Sequence, residues 1–319
     1  MTGMKAKLDA DEINLIKLAQ EYSDEDKART LFESWRWPLG KAICPHCKHD
    51  EAYKLTSNPN SKHKLRAGVY SCSACRKTFT ATVGTVLEDS HIPISKWLMA
   101  IFILCSSKKS ISANQLHRML GVTYKTAWFM AHRIRFAMGS DVTKVPLLSG
   151  TVEADETFVG GKGDRKTLHK RKTTLAAIVE RGGKVRTRVI SSVTAKNVGK
   201  FLNECVSKEA VVNTDEHCAY PAPLKEYKQH NTVVHSRYEY CRKLPDGTFA
   251  GINHAESFFS LLKRGVFGAW HSVSREHLPK YAYEFEFRWN TRKETDGQRM
   301  VSFVPMMEGK RLMYRQPKN

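Results

Sequence analysis

Three carboxylates and a lysine in the C-terminal half of the chain have the types and spacing to do chemistry. They are Asp155 in VEADETFVGG, Asp215 in VVNTDEHCAY, Glu256 in NHAESFFSLLKRG, and Lys263 seven residues after Glu256. Both aspartates end or interrupt apolar, β-branched runs, which is the pattern of strand residues. Glu256 opens a helix-like segment. Three carboxylates gathered by a fold form an all-oxygen site, suited to hard cations such as Mg²⁺ or Mn²⁺. A pair of such ions can clamp the attacking and leaving oxygens of a phosphodiester. Seven residues span about two helical turns, so Lys263 shares a face with Glu256 and can reach a phosphate beside the metals. Glu156 follows Asp155 and Glu216 follows Asp215. Neighbours on a strand point to opposite faces, so one of each pair can serve.

A second constellation lies nearer the N-terminus. Cys44-Pro-His-Cys47 is followed by 24 residues and then Cys72-Ser-Ala-Cys75. Two CxxC pairs at this distance are the four corners of a tetrahedral zinc site. Four thiolates fill the shell, so His46, His49 and His63 are bystanders. Cys105, Cys205, Cys218 and Cys241 lack such spacing and read as free thiols. Eight cysteines without a secretory signal favour metal binding in a reducing compartment over disulfides. The apolar run from Trp97 to Cys105 is too short to span a membrane and reads as a buried helix.

These residues need scaffolds, and the sequence offers several. The formal net charge is +20. Residues 1–40 hold 6 basic and 8 acidic residues, residues 41–145 hold 16 and 5, and residues 146–319 hold 30 and 19. Two basic regions with interleaved aromatics point to a polyanion, most simply nucleic acid. The first 40 residues read as helices, one capped around Ser23 and Asp24 and stopping at Pro38. Strands over Val69–Ser71 and Lys77–Val83 flank the second cysteine pair. Residues 96–138 read as all helix. Ser112 caps Ala113–Leu120, Gly121-Val-Thr turns, and Tyr124–Met138 follows, the layout of a helix-turn-helix. Its second helix offers Tyr124, Lys125, His132, Arg133 and Arg135 to DNA. From residue 149 strands take over: Val152–Val159, Thr173–Glu180, Val185–Val193, Ala210–Thr214 and Thr232–His235, with helices over Ala195–Val206 and Asn253–Gly265. This order predicts a mixed sheet flanked by helices, with Asp155 in the first strand, Asp215 at the end of the fourth and Glu256 on the last helix.

The D-D-E triad on that element order, with its lysine, resembles the ribonuclease H-like catalytic domain of DDE transposases and retroviral-type integrases. The strings VEADETFVGGK, NTDEHCAY, NHAESFFSLLKRGVFGAWH and HLPKYAYEFEFRWNTR are similar to the ISXO-type insertion-sequence transposases of bacteria, which also carry an N-terminal zinc ribbon. The resemblance covers roughly residues 30–295. It implies N-terminal helices over 1–40, a zinc ribbon over 41–92, a helix-turn-helix region over 93–145, an α/β catalytic domain of ribonuclease H-like type over 146–295, and a tail over 296–319. It implies two Mg²⁺ or Mn²⁺ ions held by Asp155, Asp215 and Glu256, DNA contacts by Lys263 and Arg264, and one structural Zn²⁺ on Cys44, Cys47, Cys72 and Cys75. Expected partners are the double-stranded terminal inverted repeats of an insertion sequence, target DNA, and further copies of the chain in a dimer or larger assembly. The expected place is the cytoplasm, on the nucleoid when DNA is bound. Asn253 competes with Glu256 as third ligand, and the neutral amide is the weaker donor. His235, His271 and His277 also match family positions, either orienting DNA or a carboxylate or packing structurally. Three rivals stand beside this reading. One is a nuclease or resolvase of the same fold that cuts without joining. The others are a zinc-ribbon transcription regulator and an inactive domesticated copy.

Overall fold

The computed structural model describes residues 9–56, 65–141, 144–160 and 172–314. The chain divides into two compact units, Met1–Met138 with Lys293–Asn319, and Gly139–Arg292. His63 lies outside the described residues. Among the described residues, no helix is long and apolar enough to cross a membrane.

The first unit begins with helices α1 (Leu15–Glu21) and α2 (Glu25–Arg36). Asp24 caps α2 by accepting from the backbone N–H of Lys27, with acidic Glu25 and Asp26 at the positive helix end. Three short strands follow as an antiparallel sheet in the order β1 (Ala52–Lys54), β2 (Val69–Cys72), β3 (Thr78–Thr80). Tyr70 stacks on Phe79 with centroids 5.8 Å apart and meets Trp37 edge-on. Its hydroxyl donates to Glu33 of α2 at 2.9 Å, tying this small sheet to a helix.

Then come α3 (Ile94–Ser106), α4 (Ala113–Leu120) and α5 (Tyr124–Met138). Ser112 caps α4 by accepting from the Gln115 N–H, and Gly121 closes it at φ 58°. That left-handed conformation favours glycine, so both ends of α4 are written in the sequence. Helix α10 (Asp296–Met306) completes this unit, where the sequence suggested only a tail. Thr295 and Gln298 form a reciprocal capping box at its start, and Asp11 accepts from both side chains.

The second unit is built on a five-stranded sheet covered on both faces. Its strands are β4 (Thr151–Val159), β5 (Thr173–Glu180), β6 (Val185–Ile190), β7 (Val211–Thr214) and β8 (Gln229–Thr232), in the order β6-β5-β4-β7-β8. The β4–β5–β6 meander is antiparallel, and β7 and β8 add in parallel to β4. Helices α6 (Ala195–Cys205) and α7 (Pro221–Leu224) cover one face, where Val152, Ala154 and Ile178 pack with Phe201, Leu202 and Tyr220. Helices α8 (Asn253–Gly265) and α9 (Leu278–Asn290) cover the other, where Leu175, Ala177 and Val179 pack with Phe258, Leu262 and Phe285. Strand alternation thus sends even-numbered residues of β4 toward α6 and odd-numbered ones toward α8.

Two sequence expectations need correction here. The fifth strand is Gln229–Thr232, not Thr232–His235, and His235–Arg237 is a 3₁₀ turn. The apolar Val233 and Val234 drew the reading downstream. The real edge strand is polar and is paid into the sheet through backbone pairing and an Asn231–Asn213 side-chain bond of 3.0 Å. A hairpin of β9 (Cys241–Lys243) and β10 (Phe249–Gly251) was also unread, although its Asp246-Gly247 turn is a hairpin signal.

Candidate active site

The register of the central strands decides where the carboxylates fall. β4 and β7 pair with Glu153 opposite Asn213. Carried two residues further, that register sets Asp215 level with Asp155. Asp155 points to the α8 side, and Glu256 sits in the first turn of α8. The backbone N–H of Glu156 donates to Asp155 Oδ1 at 2.8 Å, and that of His217 donates to Asp215 Oδ1 at 3.0 Å.

The electrostatics mark these carboxylates as one cluster. Burial first, and then the like charges of Glu156, Asp215 and Glu256, push the Asp155 carboxyl from an ordinary 3.8 up to about 7. The three groups nevertheless stand apart. Among the described residues, only the four cysteines form a group whose ligand atoms all lie within 4.8 Å of one another. Half-buried Asp155 and Asp215 and exposed Glu256 offer oxygen donors, the type that a hard divalent cation takes.

The neighbouring glutamates are occupied elsewhere. Tyr220 donates to Glu156 at 2.5 Å on the α6 side of the sheet. Glu216 accepts the backbone N–H groups of His235 at 2.6 Å and Ser236 at 3.0 Å. Glu156 and Glu216 are thus each held by a partner of their own. Lys263 and Arg264 are exposed in the last turn of α8, and Arg264 folds back on Ser260. Asn253 is exposed at the first residue of α8. His271 follows a π-helical turn at φ 60°, and His277 precedes α9.

One important residue escaped the sequence reading. Glu153 is fully buried on β4, two residues before Asp155 and on the same face. No side chain of its own N-cap closes α8. Instead Glu153 accepts from the backbone N–H of His254 at 2.7 Å and of Ala255 at 3.2 Å, and meets His254 Nδ1 at 2.9 Å. Arg181, from the β5–β6 turn, donates to the same carboxylate at 2.7 Å. Arg181 also holds the carbonyls of Phe249 and Gly251 on β10. A buried anion at the helix N-terminus thus locks the helix bearing Glu256 to the strand bearing Asp155. The only sequence signal was a charged residue inside an apolar strand, VEADETFV.

The cysteines form the tightest polar cluster described. Sγ of Cys44 lies 3.7 Å from that of Cys75, and Cys47 lies 3.5 Å from Cys72. Zinc–sulfur bonds of about 2.3 Å at tetrahedral angles set sulfurs about 3.8 Å apart, so this cage fits one Zn²⁺. Each knuckle closes alike. Lys48 (φ 65°) donates its N–H to the Cys44 carbonyl, and Arg76 (φ 59°) donates to Cys72. Backbone amides, that of Cys75 foremost, hold the Cys72 thiol down to about 6, favouring the thiolate a metal needs.

Two stretches of the chain match known domain families. Residues 147–290 match the ISXO2-like transposase domain, and residues 23–78 match the transposase zinc-ribbon domain. The chain is also similar to an uncharacterized protein in transposable element ISH50 of Halobacterium salinarum, at 27% identity over 286 residues, spanning 84% of this chain and 91% of that one. The transposase domain match contains Asp155, Asp215, Glu256 and the Glu153–Arg181 clamp, and the zinc-ribbon match contains all four clustered cysteines.

The proposed DNA-facing residues of α5 divide sharply. Tyr124 and Lys125 are exposed in its first turn. Arg133 and Arg135 are not available to DNA, and their assignment is corrected. Arg133 lies over the Phe129 ring and donates to the Glu88 carbonyl at 3.0 Å. Arg135 is 1% exposed and donates to the Ile111 carbonyl at 3.3 Å. His132 is likewise buried, with its ring 3.9 Å from that of Trp128. The helix is enclosed in this stretch, so a count of basic residues overstated its polar face.

Proposed function

We propose that this chain is a DDE transposase that binds the terminal inverted repeats of an insertion sequence, cuts DNA at those ends and joins the freed 3′-OH to target DNA. The observation that carries the reading is the arrangement itself: Asp155 on β4, Asp215 one residue past the end of the neighbouring parallel strand β7, a glutamate in the first turn of the covering helix, and burial, with like charges nearby, that raises Asp155 to about 7. The sheet order, an antiparallel meander extended by two parallel strands, supports assigning the unit to the ribonuclease H-like type. The α4–turn–α5 segment, with Tyr124 and Lys125 exposed, supports a helix-turn-helix.

In this mechanism Asp155, Asp215 and Glu256 would hold the divalent ions. When bound, two Mg²⁺ or Mn²⁺ ions would supply Lewis acidity and neutralise charge developing on the phosphate. The carboxylates fix where the scissile phosphate and the attacking oxygen meet in line. Water attacks first and frees a 3′-OH, and that hydroxyl then attacks a target phosphodiester, with no covalent enzyme intermediate. Lys263 holds a neighbouring phosphate. The Glu153–Arg181 clamp keeps Glu256 opposite Asp155 throughout. The zinc ribbon and helix-turn-helix engage the terminal repeat, and two ends handled together call for a dimer or larger assembly, in the cytoplasm where the DNA lies.

The test combines the protein, a labelled terminal-repeat duplex, Mg²⁺ and a target plasmid. Joined product is expected. Asp155→Asn, Asp215→Ala and Glu256→Ala should each lose cutting and joining while retaining end binding. Near-normal joining by Asp215→Ala would sink the site assignment, and cutting without joining would favour a nuclease.

A further inference from the structure

The β4–β7 ladder stops short of the residues it has to place. Thr151–Glu153 pair with Val211–Asn213, and Asp155 and Asp215 lie two residues beyond the last pair. Asp215 is on a loop, one residue past the end of β7. Backbone pairing therefore does not fix the gap between the two carboxylates. Among the described residues, one side-chain hydrogen bond crosses that gap: Tyr220 donates to Glu156 at 2.5 Å. Both ends of this bond are tied to a carboxylate. The backbone N–H of Glu156 donates to Asp155 at 2.8 Å. Tyr220 closes the loop that Asp215 opens. Within it Asp215 accepts from the His217 N–H at 3.0 Å, and the His217 ring accepts from the Ala219 N–H at 3.2 Å. Tyr220 is itself fixed, being 2% exposed in the core with Phe201 and Leu202 of α6, just ahead of α7. Gly199 lets α7 lie close on α6, since a Cβ there would come within 2.9 Å of Pro223.

We infer that Tyr220 and Glu156 are positioning residues, a brace that sets the gap between Asp155 and Asp215 and so selects the smaller divalent cations. The inference rests on the assignment of Asp155, Asp215 and Glu256 as metal ligands proposed above. Mg²⁺ demands near-octahedral oxygens at about 2.0–2.1 Å, whereas Ca²⁺ accepts oxygens at about 2.3–2.6 Å in flexible geometry. A fixed gap favours the first ion, and a gap free to widen loses that preference. Glu156 acts through Tyr220 and through its own backbone N–H, and its carboxylate is not a ligand.

The test uses the full chain with Mn²⁺ as the probe. Bound Mn²⁺ is read by its spin-resonance signal, and Mg²⁺ and Ca²⁺ are titrated against it as competitors. Tyr220→Phe removes only the hydroxyl. It should weaken Mg²⁺ about tenfold, the scale of one hydrogen bond to a charged group, and Ca²⁺ by less than about threefold. Glu156→Gln keeps an oxygen that can accept from Tyr220. Its lost charge weakens both ions alike, so the ratio of the two affinities should stay at the wild-type value. Glu156→Ala should lower the ratio as Tyr220→Phe does, and the double variant should lower it no further. The two Glu156 variants decide the matter even if Tyr220→Phe does not fold. A ratio unchanged in Glu156→Ala, or lowered equally by Glu156→Gln, would overturn the brace and leave the carboxylate site standing. Mn²⁺ binding unaffected by Asp155→Asn would overturn both.

Discussion

Glu153 makes the most demanding prediction, because its carboxylate is fully buried and accepts from four donors. In Glu153→Gln one oxygen becomes an amide that cannot accept, and the charge is lost. Breaking a buried ion pair from one side costs about 3–5 kcal/mol. Arg181 keeps two carbonyl partners and its side chain is 27% exposed, so it can be partly rehydrated. The low end, about 3 kcal/mol, is therefore expected. That cost falls on the junction between β4 and the first turn of α8. Amide hydrogen exchange at His254 and Ala255 should accelerate on the order of a hundredfold, at about 1.4 kcal/mol per factor of ten. A positioning role adds a functional signature. Glu153→Gln should need more Mg²⁺ for half-maximal joining, while its zinc content stays at the wild-type level. Arg181→Gln should cost less in the Glu153→Gln background than in the wild type, because the pair acts as a unit. Unchanged protection of His254 and Ala255 would refute the clamp.

Three further outcomes follow from other parts of the molecule. Metal analysis should find one zinc per chain, and Cys72→Ser should lose it and loosen the β1–β2–β3 sheet. An unchanged zinc content would refute the cage. For Asp155 the folded state binds its proton more tightly than the unfolded chain, so stability falls as pH rises from the ordinary 3.8 through about 7. Asp155→Asn lacks this loss. Without added divalent ion, its advantage over the wild type in urea unfolding should widen by about 2 kcal/mol between roughly pH 5.5 and pH 8. Parallel stability profiles for the two proteins would contradict the burial of Asp155 among like charges. Finally, Arg135→Ala should lower thermal stability, whereas Lys125→Ala should leave it unchanged and shallow the log–log salt dependence of DNA binding by roughly one unit. The reverse pattern would restore Arg135 as a DNA contact.

What was legible in the sequence is what short-range chemistry writes. A CxxC pair can only curl as a knuckle, Ser112 and Gly121 bracket a helix, and β-branched runs broken by Asp155 and Asp215 announce strands. Contacts between residues far apart in sequence were not legible. Arg135 and Lys125 share a helix and a charge, yet one meets the Ile111 carbonyl in the interior and the other remains exposed. Charge alone cannot tell them apart. The same holds for Gln229–Thr232, whose polar residues become a strand only because β7 offers a parallel edge. Helix α10 is readable in principle from Thr295 and Gln298, a capping-box spacing, and from the apolar residues Met300, Val301, Phe303 and Val304 that follow it.

Strand β4 ties the parts of the proposed chemistry to one ruler. Its α8-facing positions include Glu153, Asp155, Thr157 and Val159. At about 3.3 Å per residue, the clamp lies roughly 7 Å before Asp155. A change at Glu153 therefore reaches the carboxylates by two routes, along β4 to Asp155 and through the first turn of α8 to Glu256. Loss of the clamp thus loosens two of the three proposed ligands at once, which is why the Mg²⁺ requirement of Glu153→Gln should rise while its zinc content does not.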